Sequence, residues 1–151
     1  MRSLICLSFA VFFAWSCRSS VIIHDENSAA QEAARFAFTV FVRQDASGGY
    51  SLLADTAKKQ LSFEQFRAVN AKLHPSTFPT RVVATEFEPI PGQEALNIFL
   101  FGEGENEKFY YRIPVEGSLN EGYKVSGMYR GNGPYPPSSL RQKLKAEIPA
   151  E

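Results

Sequence analysis

The sequence has 151 residues, 44% hydrophobic and 21% charged, which suits one globular domain with extensions and excludes a disordered chain. Sixteen Lys and Arg balance sixteen Asp and Glu, so no long-range field is expected to recruit nucleic acid or an anionic lipid surface. Thirteen Phe and six Tyr supply large side chains with which to fill a core.

Arg2 precedes an almost wholly apolar run that ends at Trp15. The run is shorter than the ~20 residues of a membrane span and has the length of a secretory signal's hydrophobic region. Its end, Ala14-Trp15-Ser16-Cys17, resembles a bacterial lipoprotein box, with Trp15 larger than that position usually carries. Ala14 and Ser16 also satisfy the small-x-small rule of the ordinary signal peptidase, and both peptidases would cut the bond between Ser16 and Cys17. Cys6 leaves with the signal, so the mature chain keeps one cysteine, at its first position. A single cysteine forms no internal disulfide, and lipid attachment accounts for it. Residues 1–16 are therefore expected to be a signal peptide. The chain is expected on the periplasmic side of a bacterial membrane, with lipid on Cys17 making the membrane its partner. Cutting by the ordinary peptidase would leave a soluble periplasmic protein instead, and no cutting an uncleaved anchor.

Residues 17–28 read as a tether, with Asp25, Asn27 and Ser28 available as helix caps. Ala30, Ala33, Ala34, Ala37 and Phe41 recur at three-to-four spacing and predict a helix over 29–43, followed by Gly48-Gly49. Residues 50–54 form a second short helical piece, and the polar stretch 55–60 reads as a turn. Ser62-Phe63-Glu64-Gln65 has the form of a capping box. It opens a helix with Phe63, Phe66, Val69 and Leu73 on its buried stripe, stopped by His74-Pro75. The period then changes to two. Strands are predicted over 80–88, 95–101, 108–115 and 123–130, separated by short Gly- or Pro-containing turns. Helices followed by a meander of strands predict an α+β fold, with N-terminal helices packed on one face of an antiparallel sheet. Gly131 to Pro137 reads as an extended, Pro-rich linker. Leu140, Leu144 and Ile148, at i, i+4 and i+8, would suit a short amphipathic helix; a frayed end is the expectation, since chain termini are usually loose.

Several of these features together resemble the NTF2-like superfamily over residues 29–130, and within it the exported DUF4019-type proteins. They are the Gly-rich turn before Tyr50, the Ser62-Phe63-Glu64-Gln65-Phe66 helix start, Pro91-Gly92, and the closing Gly122-Tyr123-Lys124-Val125-Ser126-Gly127-Met128-Tyr129. The resemblance implies a curved antiparallel sheet wrapped around helices, an NTF2-like or cystatin-like cone with one open mouth. That fold hosts enzymes and non-enzymes alike.

Little chemistry is written in motifs. His24, His74 and Cys17 have no metal-ligand spacing, so no metal and no cofactor are expected; His24 reads as part of a helix cap and His74 as an ordinary loop residue. There is no nucleophile elbow, and the acidic glycine loop over 102–107 reads as a solvated turn that would repel phosphate. Asp45, Tyr50, Asp55, Glu86 and Tyr110 are candidates for acid–base work inside a cone. No motif joins them, and Glu86 with Glu88 at i and i+2 marks a wet strand face. The reading is a non-catalytic binding or accessory domain. Phe99, Phe101, Tyr110, Tyr111, Arg112 and Tyr129 would form a contact set at the cone mouth or on a sheet face. They would hold a small apolar ligand, an envelope protein or a second copy in a homodimer. The alternatives are an acid–base isomerase or hydratase acting on a small apolar substrate, and a structural envelope lipoprotein with no pocket. A buried carboxylate beside Tyr or His would favour the enzyme, an interior filled by Phe the structural protein, and an open, apolar cone free of carboxylates ligand binding.

Overall fold

A computed structural model describes residues 23–151, so the signal segment, the Ser16–Cys17 bond and Cys17 itself lie outside the described residues. The first helix, α1 (Glu26–Ala37), starts at Asp25, whose carboxylate accepts from the backbone N–H groups of Asn27 and Ser28, satisfying donors that a helix start leaves unpaired. It runs on through a π-helical turn, Phe38–Val42, so the predicted helix is one rod with a widened last turn. Its buried face is built from Ala29, Ala30, Ala33, Ala34 and Ala37. With only methyl groups on the helix's side of that contact, α1 lies against β1, β2, β3, β4 and β6 of the sheet described below.

Two short helices follow, α2 (Ala46–Ser51) and α3 (Asp55–Gln60). Gly49 is required in α2 because a Cβ there would collide with the Val40 side chain. Residues 55–60 were expected to be a turn and are a helix. Asp55 stands in its first turn and Lys58 and Lys59 in its last, a charge order that matches the helix dipole, and Ala57 packs against the core. The helix α4 (Phe63–Leu73) opens on the predicted capping box: the Ser62 hydroxyl accepts from Gln65 N–H at 3.3 Å and the Gln65 side chain accepts from Ser62 N–H at 2.8 Å.

The sheet comprises β1 (Arg81–Pro89), β2 (Ala95–Glu103), β3 (Lys108–Ser118), β4 (Gly122–Val125), β5 (Tyr129–Gly131) and β6 (Gln142–Pro149). All its pairings are antiparallel, in the order β4-β3-β2-β1-β6, with β5 also paired to β3. The fold is α+β, as the element order predicted. On the helix-covered face Leu96, Ile98, Leu100, Tyr111, Ile113 and Val115 are buried and meet Phe36, Phe41 and Phe66. No helix among the described residues is long and apolar enough to cross a membrane.

Two predicted segments differ. The strand expected over 123–130 is broken into β4 and β5, and Ser126–Met128 leaves the ladder between them. The break falls beside Pro114 of β3, which has no N–H to donate and accepts instead from Ser126 N–H at 2.9 Å. The C-terminal segment, expected as a linker with a loose or helical tail outside a domain ending at residue 130, supplies β6 to the sheet. Leu144 is buried, and Ile148 and Ala150 pack on the core. Spacings of four are multiples of two, so Leu140, Leu144 and Ile148 fit a strand face as well as a helix face. Leu144→Ala is expected to cost about 2 kcal/mol, read as a lower urea midpoint; an unchanged midpoint would mean that residues 142–149 are not part of the cooperative fold.

Candidate functional site

Among the described residues the interior holds one buried polar cluster. His74, at the C-terminal end of α4, is 4% exposed, Asn70 one turn earlier 8%, and Tyr111 of β3 fully buried. His74 Nδ1 lies 3.3 Å from the Asn70 carbonyl oxygen and 3.2 Å from its side-chain oxygen, so Nδ1 carries the proton. Nε2 then accepts from the Tyr111 hydroxyl at 2.7 Å. In this tautomer every polar atom of the ring has a partner. Burial pushes the imidazole down from 6.5 to about 4 and pushes the Tyr111 phenol above its ordinary value, so both groups are neutral. Aromatic rings close the space around them. Phe78 stacks on His74 at 4.7 Å, Phe41 lies 4.8 Å from it, and Phe41 stacks on Tyr111 at 4.5 Å.

The acid whose charge acts on His74 and Tyr111 lies outside this cluster. Glu107 pairs with Arg130 and accepts from the Thr77 hydroxyl at 2.6 Å; the Thr77 bond first, and then Arg130, hold its carboxyl below the usual range. Arg130 also donates to the Leu73 carbonyl at 2.6 Å, capping α4, and lies 4.5 Å over the Phe109 ring. His74, expected as an ordinary loop residue, is thus the polar centre of the core, and Tyr111, expected in a contact surface, is sealed beneath it. Sequence pattern marks His74 only as a helix stop and gives no sign that its partner lies thirty-seven residues away.

The acid–base candidates do not converge on the interior. Asp45 caps α2 by accepting from Gly48 N–H at 2.8 Å, Asp55 stands exposed at the start of α3, and the Tyr50 hydroxyl donates to the Leu61 carbonyl at 3.0 Å. Glu86 and Tyr110 come together on the opposite face of the sheet. Among the described residues no group of three His, Cys, Asp or Glu could hold a metal ion.

That opposite face gathers most of the predicted contact set. Register sets Phe101 against Tyr110 and Phe99 against Arg112 across β2 and β3, and Arg112 against Tyr129 across β3 and β5. These residues alternate with the inward Leu100 and Tyr111, so they point away from the helices. The chain between β5 and β6 then crosses the face as a strap. Its Tyr135 meets Phe99 edge-on at 5.4 Å. Arg141 lies 3.7 Å over the Phe99 ring and pairs with Glu86 at 3.8 Å and Glu88 at 3.5 Å. Arg112 lies 4.6 Å over Tyr129 and 5.8 Å over Tyr135. Burial raises the Tyr135 phenol, while Arg112 and Arg141 pull it the other way.

The strap leaves Phe99 only 6% exposed. Phe101 and Tyr110, 5.6 Å apart, stay half-buried, and Tyr129 is 50% exposed. Between sheet and strap lies a cleft of about 230 Å³ lined by Glu86, Phe101, Tyr110, Pro134, Tyr135 and Arg141 among others. Sequence reasoning missed Tyr135 and Arg141 because Gly-Pro-Tyr-Pro-Pro reads as a linker; an aromatic ring inside a Pro-rich stretch was the available sign. Two clefts lie elsewhere. One of about 300 Å³, lined by Leu53, Leu61, Phe66, Val69 and Met128, sits where α3 and α4 meet the β4–β5 break. The other, about 610 Å³, is an open polar hollow among Asp55, Thr56, Glu94, Glu116 and Lys124, far from the aromatic face.

Comparison with family models, with curated proteins and with solved structures gave no match.

The buried histidine makes stability depend on pH. Its folded value lies below its unfolded one, so between about pH 6.5 and 4 the unfolded chain binds the extra proton. The stabilising effect is fully present above pH 6.5 and is lost as pH falls through that window, by on the order of 2–3 kcal/mol. Denaturation midpoints measured across the window should fall steeply for the native chain and less steeply for His74→Gln. Parallel profiles would show that His74 is not buried neutral.

Proposed function

We propose that the chain is an exported, NTF2-like binding or accessory domain without catalytic activity of its own, held by lipid at Cys17 on the periplasmic side of a bacterial membrane. One observation carries the non-catalytic part. The interior is filled by Phe36, Phe41, Phe66 and Phe109, and its buried Tyr and His satisfy each other with no buried carboxylate beside them among the described residues. A proton-transfer site needs a group that a substrate can reach, and the His74–Tyr111 pair offers none.

A Phe-filled interior is what the structural alternative called for and takes the place of a cone pocket, so the binding role rests on the other face of the sheet. Aromatic and guanidinium groups collect there beside an open cleft, away from the core they would be expected to fill. Export and lipid attachment rest on the sequence of residues 2–17 alone.

Mass spectrometry of the chain recovered from bacterial membranes tests the reading. A mature N-terminus at Cys17 carrying a diacylglyceryl group is expected. An unmodified Cys17 in the soluble fraction would remove the lipid anchor and leave a soluble periplasmic protein. Turnover of an enolisable ketone by the pure chain would overturn the non-catalytic assignment.

A further inference from the structure

We propose that the groove on the outer face of the sheet binds a linear chain of pyranose sugar rings; the proposal rests on the exported-module reading above and gives that module a ligand class. Three adjoining clefts form the groove. The central one, about 230 Å³, shares Thr85 and Phe101 with a cleft of about 410 Å³ that reaches Arg81, Glu103 and Glu147. It shares Glu86, Tyr135 and Arg141 with another of about 310 Å³ that reaches Ser138. At ~30 Å³ per water, the central cleft holds roughly seven or eight waters' worth of space. That is the scale of one sugar ring, and the flanking clefts extend the site to its neighbours.

A pyranose ring has two chemistries, flat faces of C–H bonds and a rim of hydroxyls, and the groove offers a partner for each. Phe101 and Tyr110, directly opposed across β2 and β3, form an aromatic floor. Their electron-rich faces attract the slightly positive C–H groups. Guanidinium groups lie over Phe99, Tyr129 and Tyr135, whereas Phe101 and Tyr110 carry no such contact among the described residues. Around the floor, the carboxylates of Glu86, Glu103 and Glu147 accept from hydroxyls, as does Thr85, whose own proton goes to the Phe99 carbonyl, and Arg81 and Arg141 donate. Glu86 and Arg141 are 3.8 Å apart, so two neighbouring hydroxyls of one ring meet an acceptor and a donor together. Two arginines against three glutamates nearly cancel along the groove, which suits an uncharged ligand.

An extended peptide is the rival occupant and finds less to hold. The groove overlies β1 and β2, which pair with each other along Arg81–Pro89 and Ala95–Glu103, so their main-chain groups are already used. Strand addition needs a free edge, not a face.

The test is calorimetric titration of the full chain, in a detergent without a sugar headgroup, with N-acetylchitotetraose, cellotetraose and maltotetraose. At least one should bind with a dissociation constant below about 1 mM. Tyr110→Ala and Phe101→Ala should each weaken binding about tenfold or more, Tyr110→Phe should retain it, and the thermal midpoints of all three variants should stay near that of the native chain. No binding by any tetrasaccharide at about ten times that concentration, or binding unaffected by both alanine variants, overturns the proposal. A peptide library that binds this face while the sugars do not also overturns it, and leaves the exported-module reading standing. A chain recovered uncleaved from the cytoplasm overturns that reading whatever the sugars do.

Discussion

The close approach of α1 to the sheet is the constraint on which the rest depends. Five alanines, each no more than 2% exposed, form its contact stripe, so the helix approaches the inward strand side chains with no bulky residue of its own in that stripe. One central helix thereby touches five of the six strands. The space it leaves at its C-terminal end is taken by the aromatic cluster of Phe36, Phe41, Phe66 and Tyr111. The π-helical turn at Phe38–Val42 widens the rod at that point, where Val40 and Phe41 are both fully buried. A larger residue at any of the five alanines would push the helix from the sheet and strain every strand contact at once, because packed interiors have little free volume.

A filled interior moves the question of function to the surface. The His74–Tyr111–Asn70 cluster is polar yet structural: it ties the end of α4 to the middle of β3 through atoms that water cannot reach. An unpartnered imidazole there would cost more than the bond returns, which is the usual asymmetry of buried hydrogen bonds. Arg130 reinforces the same corner from outside, joining the Leu73 carbonyl to Glu107. The two layers fix the position of β3, and β3 in turn positions Tyr110 and Arg112 on the far side of the sheet.

Local signals were legible wherever a single element decides its own form. The capping box at Ser62 and Gln65, the alanine stripe of α1 and the alternation in β3 each follow from spacing, and the α+β class follows from their order. What failed depended on contacts distant in sequence. Residues 55–60 look like a turn because their helix is short and polar, and only the packing of Ala57 and the charge order support it. The split after Val125 depends on Pro114, a proline on a neighbouring strand. β6 was hidden by a spacing common to both periods. Of the predicted contact set, the register of β2 on β3 brings Phe99, Phe101, Tyr110 and Arg112 to one face, which spacing within single strands does not give, whereas Tyr111, next to Tyr110, alternates to the helix-covered face and could not share it.

The strap and β6 together leave a cleft on the face of the sheet and an irregular edge beside it. β6 is the last strand on its side among the described residues, and a regular outer edge would invite pairing with other chains. Its path is irregular. Between Ala84 and Glu86, two residues along β1, the partners on β6 step from Ile148 to Lys143, five residues. A bulge of that kind bends and twists an edge, and Lys143 and Lys145 add charge to it. The strand is nonetheless retained by Arg141 at its entry, which is 11% exposed and held between Phe99, Glu86 and Glu88. Taking such a guanidinium partly out of water costs free energy that two loose ion pairs do not fully return. The aromatic ring beneath it and the Tyr135 carbonyl, which accepts from Arg141 at 3.2 Å, offset part of that cost. Arg141 therefore contributes less to overall stability than to where the strap runs, and the route of the strap gives the aromatic face its second wall.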